Sequence, residues 1–198
     1  DRFQPLKTGL KTEMSEQSPM TLIDAHHHLW EPQALPYTWL RQIGKPKPFG
    51  DPTAIQRNYL PKDYLQDVTE AKDFELVGTV HVPADSALPE PVTETNWLDQ
   101  LNPSIPLEIV GFADLSKDNL REILGQHCNS RKFRGVRQII GRLNNRTDLS
   151  FTSEDLLKKA SWRKGFSLLK EFDLSFDLQL YPEQMRETAE FLRKHSQT

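Results

Sequence analysis

Apolar residues gather in five short runs, at 21–25, 75–82, 107–113, 133–140 and 174–180. The runs are rich in β-branched and aromatic residues, as in LVGTVHV, LEIVGF and LSFDLQL, and each predicts a strand. Several are apolar on both alternations, the pattern of parallel strands covered on both faces. Amphipathic segments lie between them, predicting helices over 60–72, 93–101, 118–128, 154–172 and 182–194. Leu120, Ile123, Leu124 and Cys128 make one stripe. Leu156, Leu157, Ala160, Phe166, Leu168 and Leu169 make another, with Ser153 as a possible cap. Strand alternating with helix predicts an α/β domain built on a parallel sheet. Five such units occupy about 175 residues, and a closed eight-unit barrel takes about 250, so a barrel reading leaves about three units outside the chain.

Composition narrows the classes. The chain has 198 residues, with Lys+Arg 25, Asp+Glu 28 and a formal charge of −3. With no basic run, nothing favours a nucleic-acid partner. No apolar stretch is long enough to cross a bilayer as a helix, so no membrane partner is expected. Cys128 is the lone cysteine, which excludes an internal disulfide and a cysteine-rich zinc module and points to a reducing, cytoplasmic setting. The expected partner is a small-molecule substrate; the oligomeric state stays open. Hydrophobic residues are 36% of the chain, which reads as a real core diluted by long polar loops, among them the Pro/Gly segment 44–53. Residues 1–20 are polar, lack a signal-peptide core and are expected to be poorly ordered, with the domain over 21–198. Opening on Asp1 and ending in RKHSQT, the chain reads as a piece of a longer one.

The strongest chemical signal is Asp24-Ala25-His26-His27-His28-Leu29-Trp30, at the exit of the first strand. Alternation predicts Asp24, His26 and His28 on one face. Two imidazoles so placed can share one ion or one substrate. The competing reading is a chance histidine cluster on a surface loop. His81, in an apolar strand, reads as a core histidine bonded to backbone, and His127 and His195 as surface residues. Glu94 falls in the first turn of the second helix, either as a carboxylate favoured by the helix dipole or as one facing the site. Arg137 shares a strand face with Gly135, which would leave room beneath it. Its fork suits a substrate carboxylate or lactone oxygen, and a structural ion pair is the alternative. Asp177 and Gln179 share a face of the fifth strand. Trp30, Tyr37 and Trp39 form an aromatic cluster that walls a pocket or packs a core. There is no phosphate-binding glycine loop and no nucleophile-elbow serine.

With DAHHHLW, YTWL, GTVHV, ETNWL, IVGFADL, RGVRQII and FDLQLYPEQM in this order, residues 21–198 resemble the amidohydrolase-related TIM-barrel hydrolases, in the branch of sugar-acid lactonases and pyrone-dicarboxylate lactonase. The resemblance implies a partial (β/α)8 barrel, about five of eight units, acting on a lactone or related carboxylate by water activation at the barrel mouth. It implies His26 and His28 as catalytic residues and metal ligands, with one divalent ion, zinc or manganese, or a metal-independent site. Glu94, Arg137, Gln179 and Trp39 become the substrate-binding candidates. Gln179 departs from a histidine found in many members, and Pro83 stands where lactonase relatives often have glutamine. The sixth-strand Asp-His and the general-base aspartate of the eighth strand have no counterpart in this sequence. A decarboxylase of the same superfamily and a non-catalytic fragment or isoform are the alternatives.

Overall fold

The computed structural model describes residues 19–42, 50–71, 73–84 and 88–195. Most of the expected poorly ordered lead, residues 1–18, lies outside them, as does most of the 44–53 loop. The strands are β1 (Met20–His27), β2 (Phe74–His81), β3 (Leu107–Phe112), β4 (Phe133–Ile139) and β5 (Ser175–Gln179). The helices are α1 (Pro61–Thr69), α2 (Val92–Gln100), α3 (Leu120–His127), α4 (Ala160–Glu171) and α5 (Met185–His195). The strands pair in chain order in one sheet, all parallel. With a helical crossover after each of the first four, the sheet curls into a half-barrel, the partial barrel that the sequence predicts.

The core lies between the sheet and the helices. Leu98, Ile109, Leu124, Val136, Trp162, Leu169 and Phe191 belong to it. Gln138 of β4 faces this layer, where its amide oxygen accepts from Trp162 Nε1 at 2.8 Å and from the Leu115 amide at 3.1 Å. Arg137, its neighbour, therefore faces the concave side. On β5 the ring of Phe176 packs against Phe166 and Trp162, so Asp177 and Gln179 take the concave side too. A smaller cluster, Leu35, Tyr37, Leu40 and Leu88, joins the loops after β1 and β2.

Three expectations change. The fourth helix does not start near Glu154: a short turn, Leu156–Lys158, precedes it, and Lys159 is extended at ψ 117. The break lets both Leu156 and Leu157 bury, whereas neighbours on a continuous helix point about 100° apart. β1 continues to His27, because its polar end still pairs with β2, where His27 meets His81. His127 is not a surface residue but fully buried, stacked on Phe133 at 4.6 Å. The Thr95 hydroxyl donates to its Nδ1 at 2.8 Å, and its Nε2–H donates to the Phe112 carbonyl at 3.1 Å. Burial pushes its pKa down to about 4, so the ring is neutral.

Candidate functional site

The exit of β1 is irregular. Asp24 pairs with Thr79 and His27 with His81, so three steps on β1 meet two on β2. Such a bulge turns an alternating pattern over. Asp24 and His27 both face α1, where the Tyr64 hydroxyl donates to Asp24 Oδ2 at 2.7 Å and the His27 ring stacks on Tyr64 at 4.4 Å. The expectation that Asp24 shares a face with His26 and His28 is thereby corrected. Burial works against ionisation of Asp24, but bonds from the His26 amide and Tyr64 outweigh it and hold its pKa below the ordinary value.

His26 and His28 do come together, their ring centroids 5.1 Å apart at right angles. His26 is exposed and His28 half-buried. His28 Nδ1–H donates to the Val82 carbonyl at 2.8 Å, which leaves the Nε2 lone pair as the reactive atom. Burial pushes the His28 pKa down; the Val82 carbonyl opposes this, while His26 and Arg137 add to it. His81 is fully buried with Nε2–H on the Leu29 carbonyl at 3.2 Å, the core histidine expected of that strand.

Arg137 Nη1 donates to the Pro83 carbonyl at 3.3 Å, and Nη2 donates to Gln179 Oε1. Burial lowers the guanidinium's pKa and the Asp177 carboxylate opposes that; arginine stays cationic. Arg137 pairs with Asp177 in register and Ile139 with Gln179, so the β4–β5 ladder sets this geometry. The space over Gly135 is not a substrate's: a Cβ there would lie 2.1 Å from Ser175 Oγ and 2.8 Å from its carbonyl oxygen. Gly135 lets β5 approach β4.

Glu94 is buried at 3% exposure, and its Oε1 accepts from the Tyr37 hydroxyl at 3.0 Å and the Ala84 amide at 3.2 Å. It joins the loops after β1 and β2 from behind. Trp39 donates to the Ala84 carbonyl at 2.8 Å and stands 6.3 Å from Trp30, whose ring lies 6.5 Å from His28. A cavity of about 380 Å³ on the α1 side is lined by His27, His28, Trp30, Tyr59 and Tyr64. In the sequence Tyr64 lies in the amphipathic segment 60–72. Its spacing carried no sign of the bond to Asp24.

A catalytic zinc takes three protein ligands and a water. Among the described residues no three His, Cys, Asp or Glu side chains stand together to hold an ion. His26 and His28 offer two donors, Asp24 is turned away, and the Gln179 oxygen is taken by a guanidinium. These residues by themselves do not fit a metal centre. No helix among the described residues is long and apolar enough to cross a membrane.

No protein-family profile matches the chain. Over 178 residues it is 36% identical to the uncharacterized protein y4mH of Sinorhizobium fredii, covering 89% of this chain and 59% of that protein. Among solved structures it is similar to an amidohydrolase from Burkholderia multivorans with bound HEPES, at TM-score 0.60 and 22% identity, covering 87% of this chain and 53% of that one. A structure of a Burkholderia multivorans amidohydrolase with bound zinc matches at TM-score 0.58 and 21% identity, over 87% and 54% of the two chains. Amidohydrolase 2 from Bifidobacterium longum subsp. infantis matches at TM-score 0.60 and 16% identity, over 88% and 57%. The chain thus spans between half and six tenths of the length of these relatives. Its structural neighbours are amidohydrolases, and their fold is its fold.

Proposed function

We propose that this chain carries part of the site of an amidohydrolase-superfamily hydrolase that opens a lactone or a related carboxylate-bearing substrate. One observation carries the reading: His28 and Arg137 are bonded to the adjacent carbonyls of Val82 and Pro83. A neutral imidazole and a cationic fork therefore stand together on the concave side, at the strand ends where barrels place their chemistry.

In this reading Arg137 orients the carboxylate or the carbonyl oxygen of the substrate. An imidazole of the pair takes a proton as water adds to the carbonyl carbon. The ring C–O bond then breaks, the proton passes to the leaving oxygen, and a hydroxy acid results. Gln179 extends the contact from beside Arg137, Trp39 belongs to the aromatic wall, and Glu94 holds that wall to the β2 exit. A zinc or manganese ion on His26 and His28 needs a further donor from outside the described residues, and no step here passes through one. A non-catalytic role is the second reading, favoured by that two-donor set.

Both readings are tested by incubating the purified 198-residue chain, and a version lengthened with the y4mH portion it does not match, with γ- and δ-lactones and with conjugated carboxylic acids. Proton release on a lactone is the expected result. Release of carbon dioxide in its place marks a decarboxylase. Turnover only in the longer protein supports the non-catalytic reading for this chain, and no turnover in either removes the hydrolase proposal.

A further inference from the structure

We infer that Tyr64, a residue of α1, positions His26. The inference rests on the hydrolase reading only for its purpose, because the geometry stands without it. His28 has its own anchor, the Val82 carbonyl. The exposed ring of His26 owes its place to its backbone, and that backbone is held through Asp24. The Asp24 carboxylate accepts the His26 amide on Oδ1 at 3.0 Å and the Tyr64 hydroxyl on Oδ2 at 2.7 Å.

The same tyrosine also grips the residue on the other side. The His27 ring lies nearly parallel to Tyr64, 21° between planes, and is buried at 7% exposure. One side chain of α1 therefore holds the residues two before and one after His26. Between those two holds lies the register shift of β1. With Asp24 and His27 both fixed toward α1, His26 is left against His28 on the other face. Tyr64 itself is set by α1, where its amide donates to the Leu60 carbonyl at 3.0 Å and Asp63 Oδ2 accepts the Leu60 amide at 3.0 Å. Tyr64 is a positioning residue acting through Asp24, and it meets no reacting atom.

The test is nuclear magnetic resonance of the whole chain, which needs no substrate. The perpendicular His26 and His28 rings give an inter-ring Overhauser contact, and the stacked His127 and Phe133 rings give a second one as an internal control. Tyr64→Phe keeps the ring under His27 and removes only the hydroxyl. The expected result is loss of the His26–His28 contact with the His127–Phe133 contact retained. Asp24→Ala should behave alike. Asp24→Asn, which keeps an oxygen for the His26 amide, should restore the contact. The inference is overturned if the His26–His28 contact survives in either Tyr64→Phe or Asp24→Ala, or if both contacts vanish together, which marks general loosening. Should Tyr64→Phe not fold, the Asp24→Ala and Asp24→Asn pair decides alone. Absence of lactone turnover in both the 198-residue chain and its lengthened version would sink the hydrolase reading and leave this result standing.

Discussion

His28 and Arg137 are anchored on consecutive carbonyls, 2.8 Å from Val82 and 3.3 Å from Pro83. One peptide unit after β2 therefore sets the spacing between an imidazole from β1 and a guanidinium from β4. The positive charge of Arg137 also disfavours protonation of His28, beyond what burial does. The imidazole thus keeps a lone pair near neutral pH, as a base requires.

Arg137→Lys is the sharpest probe of the cationic half. An ammonium cannot bond the Pro83 carbonyl and the Gln179 oxygen with the planar geometry of the fork. On a lactone that turns over, kcat/KM should fall about 10- to 100-fold, chiefly through KM, with the unfolding midpoint little changed. An unchanged KM would remove Arg137 from substrate binding.

His26→Ala tests the other half. The ring is exposed and packs no core, so thermal unfolding should barely move. Turnover should drop by about 10²- to 10⁴-fold if the pair moves the proton. A fall of less than about tenfold in a folded variant would show that the chemistry lies elsewhere.

The fold was largely legible in the sequence, because short apolar runs rich in β-branched and aromatic residues, with helical stripes between them, leave few alternatives to parallel βα units. The strand faces taken by Arg137 and Gln179 were legible too, since β4 and β5 keep their alternation. Asp24 was not: its face follows a register shift of β1, and its partner is a tyrosine 40 residues away, neither of which local spacing signals. His127 was misplaced on the surface because its polar ring hides two partners, Thr95 and the Phe112 carbonyl, that only the packing of α3 against α2 and β3 brings near. Gly135 was read as room for a ligand when the neighbouring strand uses that room.

Gly135→Ala should show that close approach directly. The new Cβ meets Ser175 Oγ and the Ser175 carbonyl, and the backbone atom cannot rotate away. Separating β4 from β5 should cost about 1–3 kcal/mol in urea unfolding. Adding Ser175→Gly removes the side-chain clash and should recover part of the loss, a coupling that a double-mutant cycle measures.

The open edges of the described sheet carry a different liability. Met20 and Ile23 on β1 are 67% and 63% exposed, and Leu178 on β5 is 39% exposed. Edge strands with exposed apolar residues pair with other chains. The double substitution Ile23→Lys, Leu178→Lys should lower the aggregated fraction in light scattering at equal concentration. An unchanged fraction would place the self-association elsewhere.

Acid sensitivity follows from His127. Its pKa is about 4 in the folded chain against an ordinary value of 6.5, because burial disfavours the charged ring. Above pH 6.5 the ring is neutral in both states and stability is unaffected. As pH falls below that value the unfolded chain binds a proton that the folded chain refuses, so stability is lost, until the loss levels off below the folded pKa. Over that window the single site should remove about 3 kcal/mol, a slope near 1.4 kcal/mol per pH unit. His81 and His27 are buried with lowered pKa values and act in the same direction. Urea midpoints measured between pH 7 and pH 4 should therefore fall steeply in the parent chain. In His127→Gln, whose amide can still meet the Thr95 hydroxyl or the Phe112 carbonyl, the starting stability should be lower but the slope smaller by about one proton. Equal slopes would mean that His127 is already protonated in the folded state, contrary to its burial between Thr95 and Phe133.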